Sequence, residues 1–141
     1  MPIDKLREKR YRDKINHITT SLNDLKIKPS SSLEKKGIFY CIQTAIESAV
    51  DMISMLTKDI GLSVKDDKQN IQNIIKERSI DPSLGEKLIS ANGMRNIIVH
   101  RYNGIDEELV LNSINEIETL LTEWLDIFEE ILNELASTEE D

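Results

Sequence analysis

The sequence predicts an all-α fold, an up-and-down four-helix bundle with one additional short helix. Three observations support this prediction. Apolar residues recur at the three- and four-residue spacing of helices, no alternating run is long enough for a strand, and the 141 residues include only five glycines and three prolines. Short connectors favour neighbouring helices that run in opposite directions. We expect residues 1–136 to form a single domain and residues 137–141 an acidic, frayed tail.

The first predicted helix runs from about Pro2 to Leu25, since proline is tolerated in a first turn. Its apolar stripe comprises Ile15, Ile18, Leu22 and Leu25. Six Lys and Arg residues fall between positions 5 and 14, against two acids. Such a run is typical of a solvated face, with phosphate contact as the alternative. His17 has no evident partner, and we expect it on the surface.

The second predicted helix begins after a capping box, in which Ser31 is followed three residues later by Glu34, and ends at Gly61. Its apolar positions are Ile38, Ile42, Ala45, Ile46, Ala49, Met52, Ile53 and Leu56. Glu47 and Asp51 are four residues apart and share another face of this helix. Because no histidine lies nearby to complete a metal site, we interpret these two acids as surface or interface residues.

Two further helices follow the linker at residues 62–67. A short third helix covers about Lys68 to Glu77. The fourth begins with Asp81 as N-cap and Pro82 at the first helical position. Its inner stripe consists of Leu84, Leu88 and Ala91, Asn92-Gly93 weakens it, and Asn103-Gly104 ends it.

The last predicted helix opens near Asp106 and continues for about eight turns. Its apolar stripe comprises Ile114, Ile117, Leu120, Leu121, Trp124, Leu125, Phe128, Ile131, Leu132 and Leu135. We expect the large rings of Trp124 and Phe128 to fill the core.

Charge and cysteine content limit the class of protein. The chain carries 26 acidic and 18 basic residues, and residues 102–141 contain 13 acids and no base. This acidic balance argues against nonspecific DNA binding but permits a locally basic surface. The lone Cys41 cannot form an internal disulfide and is expected to be buried. With no signal-peptide pattern and no apolar run of membrane-spanning length, we expect a cytoplasmic protein that does not contact a membrane.

The stretch MRNIIVHRY, residues 94–102, holds the candidate chemistry. Each helical residue advances by about 100°, so Arg95 and Tyr102 differ by about 20° and Arg95 and His100 by about 140°. One straight helix therefore cannot aim Arg95 and His100 at a single atom. Three possibilities remain open: the arginine reaches round, the helix breaks near His100, or a second copy of the chain completes the site.

These residue types suit RNA cleavage. Arginine stays charged and can hold two phosphate oxygens in its planar fork. Histidine readily takes or gives a proton near neutral pH. A base that activates the ribose 2′-hydroxyl and a cation that stabilises charge on the phosphate would be sufficient without a metal or cofactor. The pattern by itself is also compatible with an ordinary surface helix.

The wider string resembles the HEPN superfamily, whose signature is an Arg, four to six residues, and a His. Here the signature reads RNIIVH, residues 95–100. The continuation to Tyr102 is similar to the HepT branch, toxins with the pattern Arg-x4-His-x-Tyr. The segments YCIQTAIESAVDMISML and GEKLISANGMRNIIVH are similar to that branch too. The resemblance covers most of residues 1–135 and implies a HEPN-like helical fold.

The resemblance implies a metal-independent endoribonuclease toxin of a type VII-like toxin–antitoxin pair. It implies a homodimer in which Arg95 and His100 are catalytic and Asn96 supports them. It also implies an MntA-like nucleotidyltransferase antitoxin that attaches AMP to Tyr102, which would repel RNA and block it sterically. We expect Arg101 and the basic first helix to contact RNA, because the acidic C-terminal part should repel it.

Two other functions stay open from the sequence. The chain could be a noncatalytic helical partner that dimerises and docks a nucleotidyltransferase, with Arg95 as an interface anchor. Alternatively, the motif could belong to the core helix of an unrelated bundle, in which case the chain would be a stable monomer.

Overall fold

The protein is described here by a computed structural model that covers residues 3–25, 28–100 and 106–137, and all regular secondary structure in these ranges is helical. In chain order the helices are α1 (Lys5–Asp24), α2 (Ser32–Asp59), α3 (Asp67–Glu77), α4 (Pro82–His100), α5 (Glu107–Asn112) and α6 (Ile114–Ser137). The all-α prediction is confirmed, with four long helices and two short ones. Among the described helices, none combines the length and apolarity that crossing a bilayer requires.

The starts of α1 and α2 follow from capping side chains. The carboxylate of Asp4 accepts the backbone N–H of Arg7 at 2.7 Å. The hydroxyl of Ser31 accepts the backbone N–H of Glu34 at 3.1 Å, which confirms the predicted cap. The Glu34 carboxylate reaches back to the hydroxyl and backbone N–H of Ser30, and these bonds hold the pKa of Glu34 below its usual range. Each cap satisfies N–H groups that the first helical turn leaves unpaired.

The predicted last helix is divided into two, and this part of the prediction is wrong. α5 ends at Asn112 and α6 begins at Ile114. At the break, the hydroxyl of Ser113 donates to the carbonyl of Val110 at 2.6 Å, and its backbone N–H donates to the same carbonyl at 3.1 Å. A serine side chain that binds nearby backbone competes with the helical pattern. The hydrophobic periodicity continues across the break, which is why it did not predict one.

The core is a single cluster drawn from all six helices. Every apolar position predicted for α2 is buried, as are Leu88 and Ala91 of α4 and Ile15, Ile18 and Leu22 of α1. Trp124 and Phe128 are fully buried with ring centroids 5.6 Å apart, as predicted. The Trp124 Nε1–H donates to the carbonyl of Leu84 at 3.2 Å, so its polar group is paired inside the core.

Long-range pairs fix the directions of the helices. Arg7 near the start of α1 bonds Asp59 at the end of α2, and Lys14 further along α1 bonds Asp51 of α2. These two contacts make α1 and α2 antiparallel. α4 is antiparallel to α3. Gly85 near the start of α4 packs against Ile75 near the end of α3, so closely that a Cβ would lie 2.8 Å from that side chain, and Asn92 further along α4 bonds Asp67 at the start of α3. The ends of α2 and α3 line one cavity, so α4 runs from that end of the bundle towards the end where α2 begins.

Candidate functional site

The motif occupies the last turns of α4. The predicted start of this helix is confirmed, because the Asp81 carboxylate accepts the backbone N–H of Ser83 at 3.0 Å. Ile98 is buried and anchors the end of the helix to the core, whereas Asn96 and His100 are exposed and Arg95 is half-buried. The inward and outward positions alternate with the helical period, so burying Ile98 turns the polar motif residues towards the surface.

Arg95 is held by side chains from two helices. Its Nη1 donates to Oε1 of Glu47 on α2 at 3.2 Å, and its Nε donates to Oδ1 of Asn92, one turn earlier on α4, at 3.3 Å. Asn92 is in turn oriented by α3, because its Nδ2 donates to Oδ2 of Asp67 at 3.2 Å. The guanidinium thus lies at a junction of α2, α3 and α4.

The guanidinium keeps most of its hydrogen-bonding capacity. An arginine has five N–H donors in a planar fork. Within the described part of the chain, Glu47 and Asn92 each take one of them, and neither bonds Nη2. Arg95 is therefore oriented by two neighbours and can still present a pair of N–H groups to an oxyanion.

His100 is the last residue of α4, and the helix is continuous from Arg95 to it. The helix therefore does not break before His100, and residues 101–105 lie outside the described part of the chain. The arginine also does not reach round, because its guanidinium is bonded to α2 and to Asn92. Within one protomer, Arg95 and His100 thus lie on the same continuous helix, with the guanidinium bonded to α2 and to Asn92.

Both acids on the outer edge of α2 have basic partners. Glu47 bonds Arg95 as described, and Oδ2 of Asp51 accepts from Nζ of Lys14 at 3.3 Å. Nε2 of Gln43, one turn before Glu47, donates to the same Glu47 oxygen at 3.5 Å. The prediction of surface residues holds for Asp51, which is exposed, whereas Glu47 is half-buried beside the motif.

The basic segment of α1 is largely neutralised within the chain. Arg7 pairs with Asp59, Lys9 with Asp13, Arg12 with Glu129 and Lys14 with Asp51. This segment also begins at the end of the bundle opposite the last turn of α4. Its charges are therefore mostly balanced by acids before any RNA approaches, so the expected contact with RNA rests on few free cations. His17 is exposed, as predicted.

The other candidate residues are placed as follows. Arg101 and Tyr102 lie outside the described residues. Cys41 is half-buried instead of fully buried, and burial together with the nearby charge of Asp24 raises the pKa of its thiol. Among the side chains that the structure describes, no group of three His, Cys, Asp or Glu residues is arranged to hold a metal ion.

Two cavities lie in the described bundle, and of residues 94–100 Met94 alone lines either of them. One of about 790 Å³ lies between α4 and α6, and another of about 570 Å³ lies where α2, α3 and α6 end. Arg95, Asn96 and His100 line neither cavity. Asn96 and His100 are instead exposed on the surface of α4, beside the half-buried Arg95.

Asn92 and Asp67 were missed from the sequence. Asn92 lies three residues before Arg95, and this spacing places the two side chains on one helical face. That spacing was the available signal, but the Asn92-Gly93 pair reads more readily as a helix-weakening element. Asp67 lies 25 residues from Asn92 along the chain, and local periodicity gives no information on such a pair.

Comparisons with known proteins point to one family. A family model described as "Ribonuclease HepT-like" matches residues 9–132. A protein of Archaeoglobus fulgidus named "Putative RNase" is 39% identical over 130 residues, which cover 92% of this chain and 98% of that protein. A second protein of the same name and organism is 34% identical over 116 residues, covering 82% of this chain and 88% of its own length. No solved structure matches.

Proposed function

Because this chain belongs to the HepT-like ribonuclease family, and is by that membership a ribonuclease, we propose that it cleaves RNA without a metal through Arg95 and His100 of two protomers. The observation that carries the proposal is the placement of both residues on one continuous, surface-facing end of α4, with Arg95 fixed by its neighbours. Asn96 is exposed beside Arg95 and supports substrate placement.

The proposed reaction is an internal transfer at the phosphate. His100 takes the proton of the ribose 2′-hydroxyl, the 2′-oxygen bonds to the adjacent phosphorus, and the bond from phosphorus to the 5′-oxygen breaks. The leaving 5′-oxygen takes a proton from water, the hydroxide so formed takes the proton that His100 holds, and the products are a 2′,3′-cyclic phosphate and a 5′-hydroxyl. Arg95 stabilises the negative charge that develops on the phosphate oxygens.

A homodimer is part of the proposal, because the two side chains of one protomer do not share a helical face. The guanidinium of Arg95 bonds Glu47 on α2, and His100 lies five residues further along α4, about 140° away around the helix. The exposed side of α4 near the motif supports this arrangement. Ile97 is 48% exposed, and a side chain at Gly93, one turn earlier, would meet nothing within 4 Å. Gly93, Ile97 and His100 follow the three- and four-residue spacing of a helix contact face.

Mixing two inactive variants tests the dimer. Arg95→Ala and His100→Ala proteins are denatured together and refolded, so that mixed dimers form. A site built from the arginine of one protomer and the histidine of the other should return about a quarter of wild-type activity, since half of the dimers are mixed and each has one intact site. Failure to recover cleavage, with mixed dimers present by mass spectrometry, would contradict a shared site.

Replacement of His100 tests the catalytic assignment. His100→Ala should lower cleavage of a fluorescently labelled RNA by about 10²- to 10⁴-fold, because the proton transfers are lost. His17→Ala is the matched control, since His17 is an exposed histidine on α1, and it should cut at the wild-type rate. Wild-type cleavage by His100→Ala, or wild-type protein that binds a nucleotidyltransferase but cuts no RNA, would overturn the proposal and favour the noncatalytic partner.

Regulation by an MntA-like nucleotidyltransferase antitoxin completes the proposed toxin function. Tyr102 is the acceptor of AMP, two residues after His100 in the family pattern Arg-x4-His-x-Tyr. The added phosphate would bring negative charge and bulk to the position where RNA must approach His100.

Mass spectrometry tests this regulation after co-expression with the nucleotidyltransferase. The wild-type chain should gain mass in steps of one AMP group and lose its ribonuclease activity, and Tyr102→Phe should gain none. Tyr40→Phe is the control, because Tyr40 is 63% exposed on α2 and offers an accessible phenol on another helix. AMP on Tyr40, or an unmodified wild-type chain, would contradict the assignment.

A further inference from the structure

One acidic side chain reaches the motif from a different helix. Glu47 lies on α2, 48 residues before Arg95, and its carboxylate accepts from Nη1 of that arginine at 3.2 Å. Gln43 on the same face of α2 donates to the same carboxylate oxygen at 3.5 Å. Contacts on α4 alone cannot set the guanidinium relative to the rest of the bundle, whereas this cross-helix contact does.

The opposite side of the guanidinium is fixed by a buried amide. Asn92 is only 9% exposed, and it accepts from Nε of Arg95 while donating to Asp67 at the start of α3. This chain of bonds determines which way the Asn92 amide faces, so that its oxygen is turned towards Arg95. Two acceptors on different atoms of a planar group fix both its position and its rotation.

We propose that Glu47 is a positioning residue for Arg95, and that with Asn92 it aims the free Nη2 edge of the guanidinium at the RNA phosphate. This inference rests on the proposed function, because it assigns a role within the same reaction. Glu47 does not touch RNA in this role. It acts through the arginine, whose alignment with the phosphate decides how well the developing charge is stabilised.

The exposure of the pair favours a positioning role over a structural one. The side chains of Arg95 and Glu47 are 20% and 37% exposed. A single ion pair so close to water adds little to the stability of a fold. Removing the Glu47 carboxylate should therefore leave the bundle folded while freeing the guanidinium to sample other rotamers.

The negative charge of Glu47 distinguishes a role in positioning Arg95 from a role in binding RNA. A carboxylate beside a phosphate-binding arginine repels the RNA backbone, so Glu47 weakens binding of the ground state to some extent. A residue that binds RNA raises KM when it is removed. Loss of Glu47 should instead lower kcat without raising KM, because alignment is lost while one repulsive charge disappears.

The test compares three variants by steady-state cleavage of one labelled RNA. Glu47→Gln should lower kcat by between about tenfold and a hundredfold, with KM unchanged or lower. Glu47→Asp keeps the charge on a shorter arm and should recover part of the lost kcat. Asp51→Asn is the matched control, since it removes the same charge one turn further along α2 from a residue that pairs with Lys14, and it should retain wild-type kcat.

Each result decides the proposal. Wild-type kcat in Glu47→Gln, an increase in KM, or equal losses in Glu47→Gln and Asp51→Asn would overturn the positioning role. A fall in thermal midpoint that accounts for the lost activity would also overturn it, by making the pair structural. Wild-type protein and His100→Ala are measured in the same assay. If wild type cuts RNA and His100→Ala does not, a negative result at Glu47 rejects only this inference. If wild type cuts no RNA, both proposals fail.

Discussion

Two arginines of this bundle are bound to carboxylates of α2, and their surroundings differ. Arg7 donates through Nε to Asp59 at 2.9 Å, and Arg95 donates through Nη1 to Glu47 at 3.2 Å. The arginine side chains are equally exposed, at 21% and 20%, but Asp59 is 15% exposed and Glu47 is 37% exposed. The acids, and not the arginines, distinguish the two pairs.

The pair at Asp59 is enclosed by further contacts. The hydroxyl of the fully buried Tyr11 donates to the same Asp59 oxygen, and the Arg7 guanidinium lies 5.5 Å from the Tyr11 ring centroid. Arg7 also donates to the carbonyl of Met55 at 3.5 Å. These contacts give the polar groups of Arg7, Tyr11 and Asp59 hydrogen-bond partners within the protein, and they join α1 to α2. The pair at Glu47 leaves N–H groups of its arginine without an acceptor among the described residues. The first arrangement suits a structural role, and the second suits a binding role.

The largest expected difference between the two arginines is in the rate of RNA cleavage when each is replaced. Arg95→Ala should lower the rate of RNA cleavage on the order of 10³-fold, because the charge on the phosphate loses its main stabilising cation. Arg7→Ala should keep wild-type cleavage at temperatures where circular dichroism shows it folded. Labelled-RNA kinetics on both proteins measure this contrast. Equal losses of activity in the two variants would show that the comparison does not separate structure from function.

Most of the fold follows from local patterns. The apolar spacing located α1 to α4 within a few residues, because each helix buries one face against a common core and that requirement repeats every three or four positions. The division at Ser113 did not follow, because it depends on one hydroxyl that bonds the backbone while the apolar pattern continues. Periodicity reports burial and not the continuity of backbone hydrogen bonds.

The candidate site was predicted only in part. Arg95, Asn96 and His100 lie in one short stretch of sequence, so their residue types and spacing could be interpreted directly. The partners of Arg95 could not, because Glu47 is brought to it by the packing of α2 against α4, and Asp67 reaches Asn92 through α3. Glu47 was recognised as half of an acidic pair, but its separation from Arg95 in sequence gave no reason to join them.

The next largest expected difference between the two ion pairs is in the free energy of unfolding when the acid of each is removed. Asp59→Ala should reduce the free energy of unfolding by about 2–3 kcal/mol, because it leaves the Arg7 charge and the buried Tyr11 hydroxyl without their acceptor. Glu47→Ala should reduce it by at most about 1 kcal/mol, since water can solvate the more exposed Arg95 pair. Urea denaturation followed by circular dichroism measures both. A larger loss for Glu47→Ala would mean that its pair is also structural.

The smallest expected difference concerns alkaline pH. Burial, and then the hydrogen bond to and charge of Asp59, raise the pKa of Tyr11 above its ordinary value of 10.0. The unfolded chain therefore loses this proton at lower pH than the folded chain, so the stabilisation is complete below pH 10 and is lost as pH rises above it. The free energy of unfolding should fall by about 1.4 kcal/mol per pH unit from this group.

Tyr11→Phe removes the titrating hydroxyl and should show a shallower alkaline decline in urea denaturation between about pH 10 and 11. Glu47→Gln should decline as wild type does, since Glu47 bonds Arg95 and Gln43 and is not a partner of the Tyr11 hydroxyl. An identical decline in wild type and Tyr11→Phe would show that Tyr11 does not couple folding to pH, and the enclosed pair would then rest on the Arg7–Asp59 contact alone.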